Sequence, residues 1–140
     1  MVDMDLEIKL KSVTSSDVRF LYRLLKERES HVNISHKKMP SYSEHRKFVL
    51  SKPYSKWYVI IHKNKKIGNV YLTKMNEIGI FILKSVKIKG IGHEVLVKLF
   101  EMNPKSRYLA NVSPQNKKSA AFFKKNGFKL IQYTYELTSD

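Results

Sequence analysis

The sequence predicts one mixed α/β domain, a mostly antiparallel central sheet of about six strands flanked by four helices in the order β-α-α-β-β-β-α-β-α-β. Three observations predict it. Runs in which apolar and polar residues alternate, as in half-buried strands, open the chain and fill its middle. Segments with apolar residues three and four apart, as on one face of a helix, lie between and after them. The middle runs are joined by links of three or four residues, too short for a crossover, so they form an antiparallel meander.

Each element has its own local signal. Over residues 6–13, Leu6, Ile8 and Leu10 alternate with Glu7, Lys9 and Lys11, giving the first strand. Thr14, Ser15, Ser16 and Asp17 offer N-caps for a first helix that places Val18, Leu21, Tyr22 and Leu25 on one face. Residues 30–41 are polar and end at Met39-Pro40, so a surface loop long enough to carry function is expected. Ser43 opens a short second helix that groups His45, Phe48 and Val49 before Pro53. Strands follow at 57–62, 67–73 and 77–83, separated by Lys63-Asn64-Lys65-Lys66 and Lys74-Met75-Asn76. Gly90-Ile91-Gly92 opens a third helix, with Ile91, Val95 and Leu99 at four-residue spacing, that stops before Pro104. Residues 108–112 read as a fifth strand, 115–125 as a fourth helix ended by Asn126-Gly127, and 128–137 as a sixth strand. No repeat, low-complexity tract or linker interrupts this order, so residues 1–140 are expected to form a single domain.

Composition narrows the chemistry. An apolar content of 42% in 140 residues supports one core. The absence of cysteine excludes a disulfide framework, a thiolate zinc site and a cysteine nucleophile. An acidic start (Met1-Val2-Asp3-Met4-Asp5), with no apolar run near the ~18 residues of a membrane span, leads us to expect a soluble, unprocessed, cytoplasmic protein with no membrane partner. The net charge of +15 concentrates phosphate-bearing ligands at the surface, but does not choose among nucleic acid, membrane and cofactor. The clusters Lys63-Asn64-Lys65-Lys66, Lys117-Lys118 and Lys124-Lys125 fall in turns or on a helix face, where a solvated lysine-rich surface also accounts for them.

The most informative stretch is Glu77-Ile78-Gly79-Ile80-Phe81-Ile82-Leu83 followed by Lys87-Ile88-Lys89-Gly90-Ile91-Gly92. A strand that runs into glycines at a helix start presents free backbone N–H groups and the positive end of the helix dipole, which suits a pyrophosphate. A plain turn before a helix would have the same pattern, and neither a GxGxxG nor a Gly-Lys-Ser/Thr fingerprint is present.

Lys87-x-x-Gly90-x-Gly92 resembles the acetyl-CoA loop of the GNAT N-acetyltransferase superfamily, which has Gln or Arg, two residues, Gly, one residue, then Gly or Ala. Lysine in the first position keeps the charge but not the planar fork of arginine. A second resemblance lies in Asn111-Val112-Ser113-Pro114-Gln115-Asn116-Lys117-Lys118-Ser119, leading through Phe122-Phe123 to Asn126-Gly127-Phe128. The order of elements matches the superfamily over nearly the whole chain. The resemblance implies that the strands before and after the third helix splay apart to admit the pantetheine arm, past Ile82 and Leu83. It implies that the pyrophosphate rests on the amides of Ile88, Lys89, Gly90, Ile91, Gly92 and His93, beside Lys87, and that Asn111, Asn116, Ser119 and Phe123 face the cofactor. Capping by Asn116 and simple packing by Ser119 are equally open readings.

The resemblance also bears on the reaction, which it implies to be direct transfer of acetyl from acetyl-CoA to a primary amine with no metal. Where many members carry a tyrosine acid, this sequence has Phe123, whose ring donates no proton. Solvent or another tyrosine such as Tyr133 would then protonate the thiolate. Glu77 stands where some members have a glutamate base acting through water, and His45 with Glu44 offers a second candidate pair. Residues 31–49, Trp57-Tyr58 and Ile67-Gly68 are loosely similar to members that acetylate nucleotide-linked amino sugars. A protein N-terminus, a polyamine and an antibiotic amine stay open as acceptors, the polyamine disfavoured by charge. Two other classes stay open, a basic nucleic-acid-binding protein and a GNAT fold that binds CoA without turnover. Nucleic acid is the less favoured partner, and the chain is expected to be a monomer or homodimer.

Overall fold

The structure, a computed structural model, describes residues 6–32 and 39–139, the side chains of residues 29–32 excepted. The acidic start at residues 1–5 and the centre of the expected loop, residues 33–38, lie outside the described residues. The elements are β1 (Lys9–Ser12), α1 (Val18–Val32), α2 (Tyr42–Leu50), β2 (Lys56–His62), β3 (Lys65–Leu72), β4 (Glu77–Ile82), α3 (Ile91–Met102), β5 (Leu109–Ala110) and α4 (Lys117–Lys125). One sheet holds the strands in the order β1-β2-β3-β4-β5. Its first four strands are antiparallel, as the short links require, and β5 joins parallel to β4 after the crossover through α3.

Local chemistry sets the boundaries. The β2–β3 link is tighter than its four polar residues suggest. Lys63 (φ 50) and Asn64 (φ 63) both adopt the left-handed conformation that matches a two-residue turn to strand twist, so β3 already starts at Lys65. Ser41, not Ser43, caps α2, because only Ser41 stands three residues before Glu44 and can exchange hydrogen bonds with it. Thr14 and Asp17 form the same reciprocal cap around the 3-10 turn Ser15–Asp17 that leads into α1. At α4 the cap is Asn116, whose side chain accepts from the Ser119 amide at 3.1 Å, so the helix begins at Lys117 rather than at residue 115.

The sheet is covered on both faces. On one face Ile8, Tyr58, Ile60, Val70, Leu72 and Ile78 pack against Ile91, Val95, Leu96 and Leu99 of α3. On the other, Val18, Leu21 and Leu24 of α1 meet Val49 of α2 and Leu83. Among the described residues five strands form rather than about six, and β5 is only Leu109–Ala110. Residues 130–139 have the alternating pattern of a strand but make no ladder, and their side chains are exposed. Alternation favours an extended chain; a strand also needs a neighbour, and the far side of β5 is unpaired among the described residues.

Asp17 ties the first half together. Fully buried, its carboxylate accepts from Lys66 Nζ of β3 at 2.7 Å, from the Thr14 amide at 2.9 Å and from Lys11 Nζ of β1 at 3.0 Å. Burial pushes the carboxyl pKa up, but Lys66, the Thr14 amide and Lys11 together outweigh it and hold the group below its usual range. The resulting stability is present above the unfolded carboxyl pKa of about 3.9 and is lost as pH falls through the lower folded value. Asp17→Asn should therefore cost roughly 1.5–3 kcal/mol in urea unfolding at neutral pH. The gap between wild type and variant should close as the measurement is carried below about pH 4.

Candidate active site

The site begins with an opening in the sheet. β4 pairs with β5 only at Glu77↔Leu109 and Ile78↔Ala110, whereas on its other side it stays paired with β3 out to Ile82↔Gly68. From Gly79 to Ile82 the β5 side of β4 thus has no strand partner among the described residues, and its backbone groups there are available to a ligand. The expected splay is present, and it starts two residues into the strand. Gly79 is required by its neighbour, since a Cβ there would lie 1.9 Å from Cζ of Tyr71. The Tyr71 ring in turn stacks on Tyr54 at 3.8 Å.

Beyond the open end of β4 lies the glycine loop. Gly90 takes φ 83 as the N-cap of α3, without a side-chain cap, and Glu94 donates to its carbonyl at 3.1 Å. The Ile91 amide is used by Ile88 O at 3.3 Å, while the amides of Gly92 and His93 have no acceptor among the described residues. Two free N–H groups at the positive end of a 12-residue helix form an anion cradle. Lys87 and Lys89 are exposed beside it, and Ile88 anchors the loop by packing on the first core cluster. Two contacts brace the cradle from α4. A Cβ on Gly92 would meet Phe122 at 2.7 Å, and the His93 ring pairs with Asn126 Oδ1 through Nδ1 at 2.6 Å.

At the other end of β4 stands Glu77. Its Oε1 accepts from Thr73 Oγ1 at 3.1 Å and its Oε2 from Asn111 Nδ2 at 2.7 Å. Thr73 closes the β3–β4 turn as well, since its hydroxyl accepts from the amides of Met75 and Glu77 and its carbonyl from Asn76. Asn76, left-handed at φ 63, accepts from the Leu109 amide at 2.9 Å and so fixes where β5 docks. One turn therefore orients the carboxylate and positions the strand beside it. The sequence reading named Glu77 and Asn111 separately and missed Thr73 and Asn76; the run from Thr73 to Glu77, a hydroxyl residue opening a turn that closes at an acidic one, was the available signal.

Other candidates are placed differently. His45 is buried against Tyr22, with ring centroids 5.3 Å apart, and its Nε2 has no hydrogen-bond partner among the described residues. Burial lowers its pKa, so the neutral imidazole is the folded form at neutral pH. Its ring contact is with α1 rather than β4 or β5. Tyr133 lies on the unpaired tail with its side chain 75% exposed. Phe123 is buried between Phe122 and Phe128, at 5.2 and 5.1 Å, and holds α4 and the segment after it together. Asn116 and Ser119 are engaged with each other in the α4 cap. Ile82 is half-buried against the first cluster. Leu83 is buried, its amide donating to Ile67 O and its carbonyl accepting from Val86, so it is committed to the fold.

A family model for the acetyltransferase (GNAT) domain matches residues 7–129. The chain belongs to this family, and it is an N-acetyltransferase that uses acetyl-CoA as co-substrate. Among solved structures it is similar to RimL, a ribosomal alpha-N-protein acetyltransferase in complex with coenzyme A, at 20% identity with a TM-score of 0.71, covering 94% of this chain and 85% of that one. A domain from Methanocaldococcus jannaschii DSM 2661 superposes with a TM-score of 0.77 at 21% identity, covering 93% of each chain. Spermidine/spermine N-acetyltransferase SpeG from Vibrio cholerae does so at 0.69 and 18%, covering 91% of this chain and 81% of that one. A comparison with curated protein sequences found no match.

The residues present fit the co-substrate. The free amides of Gly92 and His93 suit its pyrophosphate, and the unpaired edge from Gly79 to Ile82 suits the amide-bearing pantetheine arm. Gly90→Val would force a β-branched residue into the left-handed conformation. The cradle should distort and acetyl-CoA affinity should fall by more than about tenfold, or 1.4 kcal/mol. Calorimetric titration of the folded variant measures this, and wild-type affinity would remove the loop from the site.

Proposed function

We propose that this enzyme acetylates a primary amine carried on a negatively charged molecule, by direct attack on the thioester, with Glu77 as the base. The observation that carries the mechanism is the position of Glu77 at the paired end of β4, two residues before β4 and β5 part, its carboxylate held by Thr73 and Asn111. Residues 77–82 span roughly 17 Å at strand rise, so the cradle and the carboxylate stand at opposite ends of the opening. The open β4 edge between them would hold the pantetheine arm, and the bound co-substrate would present its thioester toward the Glu77 end. There the carboxylate accepts the amine's proton through a water molecule. Backbone N–H groups of the open β4 edge polarise the carbonyl, and the oxyanion is held without a covalent enzyme intermediate. Phe123, enclosed by Phe122 and Phe128, supplies no acid, so the departing thiolate takes its proton from solvent.

Charge supports the anionic acceptor. The chain carries +15, and Arg28, whose Nε has no partner among the described residues, acts electrostatically on Tyr54 of the Tyr54–Tyr71 stack that borders Gly79. A field of that sign draws in a nucleotide-linked amino sugar, as the sequence suggests, or the N-terminus of an acidic protein. It opposes a polycation such as the spermidine named for the Vibrio cholerae neighbour. Release of free CoA thiol, followed with a nucleotide amino sugar, an acidic peptide and spermidine across a salt series, tests this. An anionic acceptor should be preferred at low salt and lose its advantage as salt rises. Spermidine turning over fastest at low salt would overturn the acceptor class.

Glu77→Gln tests the base. At saturating acetyl-CoA the rate should drop at least tenfold near neutrality, within the roughly 10²–10⁴-fold range of general-base assistance. It should recover as rising pH deprotonates the amine in solution, with acetyl-CoA binding unchanged. An unaltered neutral rate would leave proton removal to solvent.

A further inference from the structure

We infer that Arg28 holds an oxyanion site that selects the acceptor: its guanidinium binds a carboxylate or phosphate of the molecule carrying the amine, and the Tyr54–Tyr71 stack leads from it toward Glu77. The inference rests on the anionic acceptor proposed above and adds the residue that reads the charge. It starts from the alternation along β4. Ile78, Ile80 and Ile82 belong to the cluster under α3, and Phe81 to the cluster under α1 and α2. Glu77 and Gly79 share the Phe81 side, so the carboxylate meets its amine on the α1–α2 face of the sheet. Tyr71, paired with Gly79 across the ladder, lies on that face, and a Cβ on Gly79 would strike its hydroxyl as well as its ring. The hydroxyl thus stands over the first residue of β4 that has no β5 partner. Tyr54 stacks on Tyr71 at 3.8 Å and meets Trp57 edge-on at 4.8 Å, extending the wall of rings away from the opening.

Arg28 stands close to this wall as a charge without a counter-ion. It follows Leu21 and Leu24 by seven and four residues, on the stripe of α1 that packs inward, and is half-buried. Its Nε is enclosed with no partner, and the side chain makes no hydrogen bond or ion pair among the described residues. Tyr54 feels its charge: burial and then Tyr71 push the phenol pKa up, and Arg28 works against them. A phenol so raised stays neutral, so it cannot balance the guanidinium. Glu27, the neighbour in sequence, instead accepts from the Lys84 amide. Asp17, the other desolvated charge, has two lysines. Enclosing a cation without a partner is costly unless a ligand completes the pair. The planar fork of arginine fits a carboxylate or a phosphate with two parallel hydrogen bonds.

The experiment uses acceptor pairs that differ in charge alone. One is a tetrapeptide with two aspartates beside the same peptide with asparagines; the other is an amino sugar phosphate beside the free amino sugar. With acetyl-CoA saturating, Arg28→Gln should raise KM for the charged member about tenfold to a hundredfold, the worth of a hydrogen bond to a charged group. Its kcat, the KM of the neutral member and acetyl-CoA affinity should stay as in wild type. The pair that responds tells carboxylate from phosphate. Arg28→Lys should recover part of the loss, and Arg23→Gln, which removes the same charge from the exposed side of α1, should leave the charged-to-neutral KM ratio unaltered. Equal rises for both members of a pair would make Arg28 a structural residue and overturn the inference. Anion binding is read separately, with CoA present to fill the α3 cradle: inorganic phosphate should shift the emission of Trp57, the single tryptophan, in wild type and not in Arg28→Gln. A preference for charged amines that survives Arg28→Gln overturns the inference and leaves the anionic acceptor standing. A Trp57 response with no preference among the amines overturns the anionic acceptor and leaves the Arg28 site. Neither response nor preference overturns both.

Discussion

A backbone group that leaves a β-ladder has to find water, another strand or a ligand, and β4 meets this requirement over most of its length on one side. It is held by β3 throughout and by β5 at two residues only. The parting follows from topology. β5 returns from the crossover through α3, is caught by Asn76 O at the Leu109 amide, and ends in Asn111, whose side chain reaches Glu77. A longer parallel pairing would close the opening, and a shorter one would release the carboxylate's partner. The same few bonds therefore leave the β4 edge open and orient the Glu77 carboxylate.

The distribution of charge serves that opening. Neither the stretch from Met75 to Leu83 nor that from Tyr108 to Asn116 contains a lysine or arginine, in a chain with 27 of them. A primary amine on either strand would compete with the acceptor for the thioester. Positive charge lies at its rim instead, in Lys87 and Lys89 beside the α3 amides. Where a carboxylate is buried, at Asp17, two lysines with partly solvated side chains offset its desolvation and join β1 to β3.

Some of this was legible in the sequence because it is local. Hairpin links of a few residues force antiparallel neighbours, and Gly90 and Gly92 before an amphipathic run announce a helix start with free amides. The GNAT resemblance rested on such local motifs in the right order. Glu77 could be nominated from its spacing, ten residues before Lys87, since strand and loop lengths are local too.

What tertiary structure decided depends on residues far apart in sequence. Asn111 meets Glu77 across 34 positions and Lys66 meets Asp17 across 49, and nothing in either local pattern encodes those distances. The burial of His45 against Tyr22 required the packing of two helices, which the local pattern of α2 does not specify. The fifth strand shrank to two residues and the sixth did not form for one reason: alternation specifies which side chains share a face, whereas a ladder exists only where a second strand is present to complete it. The sequence by itself determined the helices, the hairpins and the residue types they carry, because those signals are local; the partners across the sheet decided which alternating stretches became strands and which distant side chains met.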